Sequence, residues 1–159
     1  MLSIRPATVN DAASILTMIR ELADYERELE SVALSETQLA ADGFGDNPAF
    51  NVLLAEWEGR TAGYALFFDF YSTWRGRQLF LEDLFVRPQF RGRGIAKRLM
   101  SEVAQVAIQR GCGELRWEVL DWNQSAIDFY RSMGAEFLDG WKLVMLPRLA
   151  VQELAERAA

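Results

Sequence analysis

Hydrophobic positions along this chain switch repeatedly between a helical and a strand period, and the switches mark its elements. Residues 3–7 read as a short first strand, followed by Thr8-x-x-Asp11, a capping-box pattern. Ala12, Ile15, Leu16, Ile19, Leu22 and Ala23 then share one helical face and predict a helix over residues 11–27. A second, short helix is predicted over residues 35–42, ended by Gly43-Phe44-Gly45. Residues 51–56 and 61–70 read as strands joined by the turn Glu58-Gly59-Arg60. Residues 79–86 are apolar at every position except Glu82 and Asp83. After residues 87–94, the apolar residues Ile95, Leu99, Val103, Val106 and Ala107 restore the helical period, and Gly111 suits its end. Residues 114–120 form a further strand pattern. Residues 124–133 form a short helix with Ala126, Ile127, Tyr130 and Met133 inward, closed by Gly134. Residues 135–138 and 141–146 read as a closing pair of strands, and residues 149–158 as a terminal helix. Helices set between strands, with hairpins on either side, predict one α/β domain over residues 1–159 with a mixed central sheet flanked by helices.

The centre of this pattern is a strand, a basic glycine turn and a helix in immediate succession. Pro88 prevents residues 79–86 from continuing as a central strand. Arg91-Gly92-Arg93-Gly94 then opens the helix, an arrangement that directs backbone N–H groups and a positive helix end at an anion. It is not a P-loop, because Gly94 is followed by Ile95-Ala96-Lys97 rather than Lys-Ser/Thr. Nor is it a dinucleotide fingerprint, because Lys97 stands where a third small residue is needed. A solvated basic turn that merely starts a helix is the plain alternative to a phosphate site.

Composition narrows the chemistry. No run of apolar residues reaches membrane-spanning length, and Cys112 is the single cysteine, which fits a reducing cytoplasm. The chain contains no histidine, which removes Ser-His and Cys-His nucleophiles and the usual general base. Proton transfer is left to carboxylates, tyrosine, lysine or water. A net charge of −6 argues against nonspecific nucleic-acid binding and suits a cationic substrate.

Three places carry candidate chemistry. Glu82 and Asp83 sit inside an apolar strand, where a buried charge is costly unless paired, hydrogen-bonded or protonated. Strand alternation would send them to opposite faces, so they should not act as one dyad; each is either a structural carboxylate satisfied by backbone or arginine, or the one acid that the chemistry needs. A partly buried carboxylate with a raised pKa takes a proton from an ammonium, whose own pKa is about 10. Tyr130, inward on its helix, is either a core aromatic or a proton donor. Tyr25-Glu26, with Glu28 and Glu30, places acids at a helix C-terminus against the macrodipole, which invites a cation. The segment with Tyr71 and Trp74 is either loop packing or the wall of a substrate groove.

Arg91-Gly92-Arg93-Gly94-Ile95-Ala96, preceded by Leu84-Phe85-Val86, resembles the acyl-CoA pyrophosphate loop of the GNAT superfamily of N-acetyltransferases. Tyr25-Glu26, Asp42-Gly43-Phe44-Gly45, Leu81-Glu82-Asp83 and Trp122-Asn123 with Ser125, Ala126, Ile127, Phe129 and Tyr130 fall in the order seen in spermidine/spermine N-acetyltransferases. Gly140-Trp141 continues the likeness, which runs from Ile4 to about Leu146.

That resemblance implies a GNAT fold in which strands 79–86 and 114–120 splay apart and CoA inserts between them. It implies acetyl-CoA as co-substrate, without a metal. Tyr130 would be the acid towards the CoA thiolate, and Glu82 would assist amine deprotonation through water. Leu84, Phe85 and Val86 would hold the acetyl and pantetheine portions, with backbone N–H near Phe85-Val86 stabilising the oxyanion. Arg91, Gly92, Arg93, Gly94, Ile95, Ala96 and Lys97 would meet the pyrophosphate. Asn123, Ser125, Ala126 and Tyr130 would hold more of the CoA. Tyr25, Glu26, Trp74, Glu82, Arg116, Trp117 and Glu118 would line the amine site.

The implied reaction is direct acetyl transfer to a primary amine of a small cationic substrate of polyamine or diamine type. Polyamine-specific members carry an acid where this chain has Ser72, and thialysine-preferring members carry a loop like Tyr71-Ser72-Thr73. Thialysine or another amino acid or small amine is therefore the alternative acceptor, and a non-catalytic acyl-CoA-binding module is the alternative outside catalysis. A covalent route through Cys112 is disfavoured, since no histidine activates it and it lies at the far end of the helix from Gly94. The resemblance also implies a homodimer.

Overall fold

A computed structural model describes residues 1–158; Ala159, the last residue of the expected domain, lies outside them. The chain divides into two compact units, Met1–Leu120 and a second that begins at Asp121.

The first unit is built on a five-stranded sheet in the order β1 (Leu2–Pro6), β2 (Asn51–Trp57), β3 (Arg60–Ser72), β4 (Gly76–Val86) and β5 (Leu115–Arg116). β1 to β4 run antiparallel to their neighbours, and β5 joins β4 in parallel. The mixed sheet follows from the connections. Glu58 and Gly59, both at positive φ (52° and 75°), make the tight β2–β3 turn. A parallel neighbour for β4 needs a helical crossover, which α3 (Ile95–Gln109) supplies.

α1 (Ala12–Tyr25) and α2 (Glu36–Phe44) cover one face of the sheet. Ile15, Leu16, Met18 and Leu39 form a buried core with Val52, Leu54, Tyr64, Leu66 and Phe85. α3 buries Ile95, Leu99, Met100, Val103 and Ala107, facing the strand residues of opposite parity such as Leu79 and Leu81. The Thr8–Asp11 capping box forms on a short 3₁₀ turn (Val9–Asp11) just ahead of α1, and Ser35 caps α2 by accepting from Gln38 N–H. Among the described residues no helix is long and apolar enough to cross a membrane.

The register of β3 with β4 contains the feature that matters most. Leu66 faces Asp83 and Phe67 faces Leu81, so Glu82 is an extra residue with no partner, a β-bulge. The bulge switches the parity of the strand. Leu79 and Leu81 lie on the α3 face, whereas Asp83 and Phe85, two and four residues further along, lie on the α1–α2 face with Leu66 and Tyr64. Simple alternation, which would send Glu82 and Asp83 to opposite faces, is broken at this point.

Two strand expectations are corrected. Residues 114–120 contribute only Leu115 and Arg116 to the ladder, after which the chain leaves β4. Residues 135–138 and 141–146 are not strands. Their apolar pattern reports β-propensity, but a strand exists only where a neighbour pairs with it, and here Trp141 and Val144 are 74% and 86% exposed.

The second unit contains α4 (Gln124–Ser132) and α5 (Arg148–Glu156). Asn123 caps α4, its Oδ1 accepting from Ala126 N–H at 3.3 Å, and Gly134 follows at φ 84°. Within this helix Ile127 and Tyr130 are buried.

Candidate active site

The bulge at Glu82 gathers four carboxylates. Asp83 is the inner one, and the buried Tyr64 hydroxyl donates to its Oδ2 at 2.7 Å. Burial pushes the Asp83 carboxyl above its ordinary pKa, and the Tyr64 hydrogen bond offsets part of that rise. Tyr64 is itself raised well above the phenol range, by burial first and then by Asp83.

Glu82 reaches solvent, yet loss of hydration raises its pKa, and Asp83 and Glu118 raise it further. Glu26, just past the end of α1, is raised by loss of hydration and then by Asp83 and Glu82. Three elements therefore present carboxylates to one another, and their mutual repulsion is relieved by a proton or a cation. A carboxylate poised above its ordinary pKa at a solvent-facing site is chemically suited to accept an ammonium proton near neutral pH.

Further back along the same pair of strands lies a second polar group. Gln78, fully buried, donates through Nε2 to Glu114 Oε2 at 2.9 Å, while its Oε1 has no hydrogen-bond partner. Arg116 donates to the same Glu114 oxygen at 3.2 and 3.3 Å, and Arg75 pairs with Glu114 Oε1 at 2.7 Å. The Arg116 guanidinium lies over the Phe70 ring, 5.8 Å from its centroid, and Phe70 packs edgewise on Phe80.

Where β4 ends, Pro88–Phe90 form a 3₁₀ turn, and Gly92 and Gly94 follow with φ of 75°. This left-handed backbone is open to glycine at little cost, and a Cβ built at either position meets nothing within 4 Å. Gly94 caps α3 without a side chain, so no capping side chain takes the first backbone N–H groups of the helix. Arg91 donates from Nε to Val86 O at 2.9 Å and lies over the Tyr25 ring, while Arg93 lies over Trp57. Arg98 pairs with Glu102 at 2.6 Å, within α3. Beside this turn is a cleft of about 390 Å³, with the acids Glu21 and Asp24 as well as Tyr25, Phe85, Arg87 and Arg91 in its lining. The glycine turn, with the guanidinium groups of Arg91 and Arg93 near it, suits an anion, whereas the cleft is lined by carboxylates as well as guanidinium groups. Among the described residues the parallel ladder between β4 and β5 ends at Phe80 and Arg116.

The predicted residues thus fall into groups within the first unit. Glu26, Glu82 and Glu118 come together, and Tyr25 joins the turn through Arg91. Leu84, Phe85 and Val86 run from the bulge to the turn, and Ile95, Ala96 and Lys97 open α3. Trp117 follows β5, partly buried, and Trp74 lies in the β3–β4 turn, 82% exposed. In the second unit Asn123 is the cap of α4, Ser125 and Ala126 occupy its first turn, and Tyr130 is 8% exposed against Phe129. Sequence reasoning missed Tyr64 as the partner of Asp83. The available signal was a tyrosine inside the apolar run of residues 62–68, since a buried hydroxyl needs a partner. It also missed Arg87, whose guanidinium grips Glu21 through Nε and an NH2 group at 2.8 and 2.9 Å.

The family model described as the Acetyltransferase (GNAT) family matches residues 15–135. Thialysine N-epsilon-acetyltransferase of Sus scrofa is 44% identical over 96% of this chain and 96% of its own length. Spermidine/spermine N(1)-acetyltransferase-like protein 1 of Homo sapiens is 36% identical over 96% of this chain, which spans 23% of that longer protein. Among solved structures, an integron cassette protein from the mobile metagenome of V. cholerae superposes with a TM-score of 0.79, at 25% identity, over 98% of each chain. The strand–turn–helix with its open glycine turn, the mixed sheet and these likenesses lead to one conclusion: the chain belongs to the GNAT family of acetyl-CoA-dependent N-acetyltransferases.

Proposed function

We propose that this chain moves the acetyl group of acetyl-CoA to a primary amine of a small cationic acceptor, by direct attack of the neutral amine. The observation that carries this reading is Glu82, raised above the ordinary carboxylate range on a bulge shared with Asp83 and facing Glu26 and Glu118. The acidic cluster attracts the ammonium, and Glu82 takes its proton directly or through one water. Backbone N–H groups of β4 near Phe85-Val86 serve the developing oxyanion. Tyr130 gives its proton to the departing thiolate. Acetyl-CoA is consumed as a substrate. Leu84, Phe85 and Val86 take its acetyl and pantetheine portions, and the turn from Arg91 to Lys97 takes its pyrophosphate. Asn123, Ser125 and Ala126 contribute further CoA contacts. Tyr25, Trp74, Arg116 and Trp117 complete the amine site, and no metal is required.

Both units belong to one GNAT domain in this reading, supported by a family match that crosses residues 120 and 121 without interruption. The working form is a cytoplasmic homodimer. A second reading of the acceptor, an amino acid carrying a side-chain amine, is favoured by the 44% identical relative named for thialysine.

The test is release of CoA thiol from acetyl-CoA in the presence of spermidine, spermine, putrescine, lysine, thialysine or an aminoglycoside. Saturable release with one amine class supports the transferase and names its acceptor. Tight acetyl-CoA binding without release to any of them refutes it in favour of a binding module.

A further inference from the structure

We propose that Arg116, held by Glu114 and the Phe70 ring, is the specificity residue that reads the α-carboxylate of an amino-acid acceptor whose side-chain amine lies at Glu82. This rests on the amine-acetyltransferase reading above and adds the chemistry that distinguishes one amine from another. The amine end of the site is uniformly acidic, with Glu26, Glu82, Asp83 and Glu118. A polyamine would need acids at both ends. The other end is cationic instead, because Arg75 and Arg116 share the single carboxylate of Glu114 and leave one positive charge in excess.

The two stations lie on one face. Phe80 and Arg116 are register partners in the parallel ladder, and Arg116 reaches the Phe70 ring that packs on Phe80. Two residues beyond Phe80 is Glu82, and two beyond Arg116 is Glu118, whose charge acts on Glu82. Two residues of strand span roughly 6–7 Å, comparable to the reach from the α-carbon to the terminal amine of an extended lysine-length side chain. The aromatic pair Phe70 and Phe80 supplies an apolar floor between the charges.

Arg116 has donor capacity to spare. Its bonds to Glu114 are long, at 3.2 and 3.3 Å, both end on one oxygen, and that oxygen also receives Gln78. An incoming carboxylate offers the guanidinium a parallel two-bond contact that Glu114 does not.

The experiment compares kcat/KM for thialysine with that for bis(2-aminoethyl) sulfide, the same molecule without its carboxylate. In the unaltered protein the ratio favours thialysine, and thialysine methyl ester shows a KM about tenfold higher or more. Arg116→Gln lowers the ratio by about tenfold or more, mainly through the KM for thialysine, and Arg116→Lys restores part of it because the charge remains without the fork. A ratio that already favours the diamine in the unaltered protein overturns the assignment, as does a ratio unchanged in Arg116→Gln. A protein that acetylates the diamine but not thialysine loses only the carboxylate assignment. A protein that acetylates neither, nor any other amine, loses the transferase reading and this inference with it.

Discussion

Removing one hydroxyl, in Tyr64→Phe, tests whether the inner carboxylate is held as described. Tyr64 is fully buried, its ring packs near Phe85 with centroids 6.3 Å apart, and its hydroxyl donates to Asp83 at 2.7 Å. Phenylalanine keeps the ring contacts and deletes only that bond. A hydrogen bond to a charged group contributes about 1.5–3 kcal/mol, and one between neutral groups about 0.5–1.5 kcal/mol. The loss therefore depends on the charge of Asp83. Burial holds the Asp83 carboxyl above its ordinary pKa, so the folded state binds more protons than the unfolded one across the interval between the two values. Stability contributed by this group is full below the ordinary carboxylate pKa and is lost as pH rises through that interval. The Tyr64 bond lowers the folded value, so its removal extends the interval upward. The deficit of Tyr64→Phe should be small in acid and grow towards neutral pH, reaching roughly 3–10 °C in Tm for a chain of this size. Thermal unfolding of both proteins across the acid-to-neutral range measures it. A deficit independent of pH, or none at all, would show that Asp83 does not carry its charge against this hydroxyl.

Two further outcomes test the roles proposed for Tyr130 and for the glycine turn. Tyr130→Phe should lower turnover about a hundredfold or more while leaving acetyl-CoA binding, followed by calorimetry, near its original strength; comparable losses in both would make Tyr130 a packing residue. Gly94→Ala forces a Cβ into left-handed backbone at φ 75°, costing about 1–2 kcal/mol of stability, and should raise the KM for acetyl-CoA more than it changes kcat. Steady-state kinetics that show an unaltered KM would remove the turn from the phosphate site.

Much of this arrangement is legible in the sequence because it is local. The helical faces of α1 and α3, the hairpin turn at Glu58-Gly59 and the glycine turn before Ile95 each depend on residues within a few positions of one another. The carboxylates of residues 82 and 83 are conspicuous for the same reason, standing alone in an apolar strand. The bulge is not legible, because it exists only in the register of β4 against β3, and neither strand alone encodes it. Tyr64 is hidden in the same way: its partner is 19 residues away and is set by that register. Residues 135–146 fail in the opposite direction. Their apolar residues satisfy a strand pattern, but the segment is not strand and its apolar side chains are largely exposed. The segment after Arg116 fails for a related reason, since Trp117 and Glu118 read as strand but depart from β4.

The central claim is that the carboxylate on the bulge takes the proton from the acceptor amine. Thiol release against pH, measured with one saturating amine for the unaltered protein and for Glu82→Gln, tests it most directly. With Glu82 in place the rate should rise as its carboxylate, held above the ordinary range, loses its proton, and remain high at neutral pH. In Glu82→Gln the neutral-pH rate should collapse and return only as the pH approaches about 10, where the amine ionises without help. Profiles that superimpose would contradict the account and leave Glu82 a spectator on its strand.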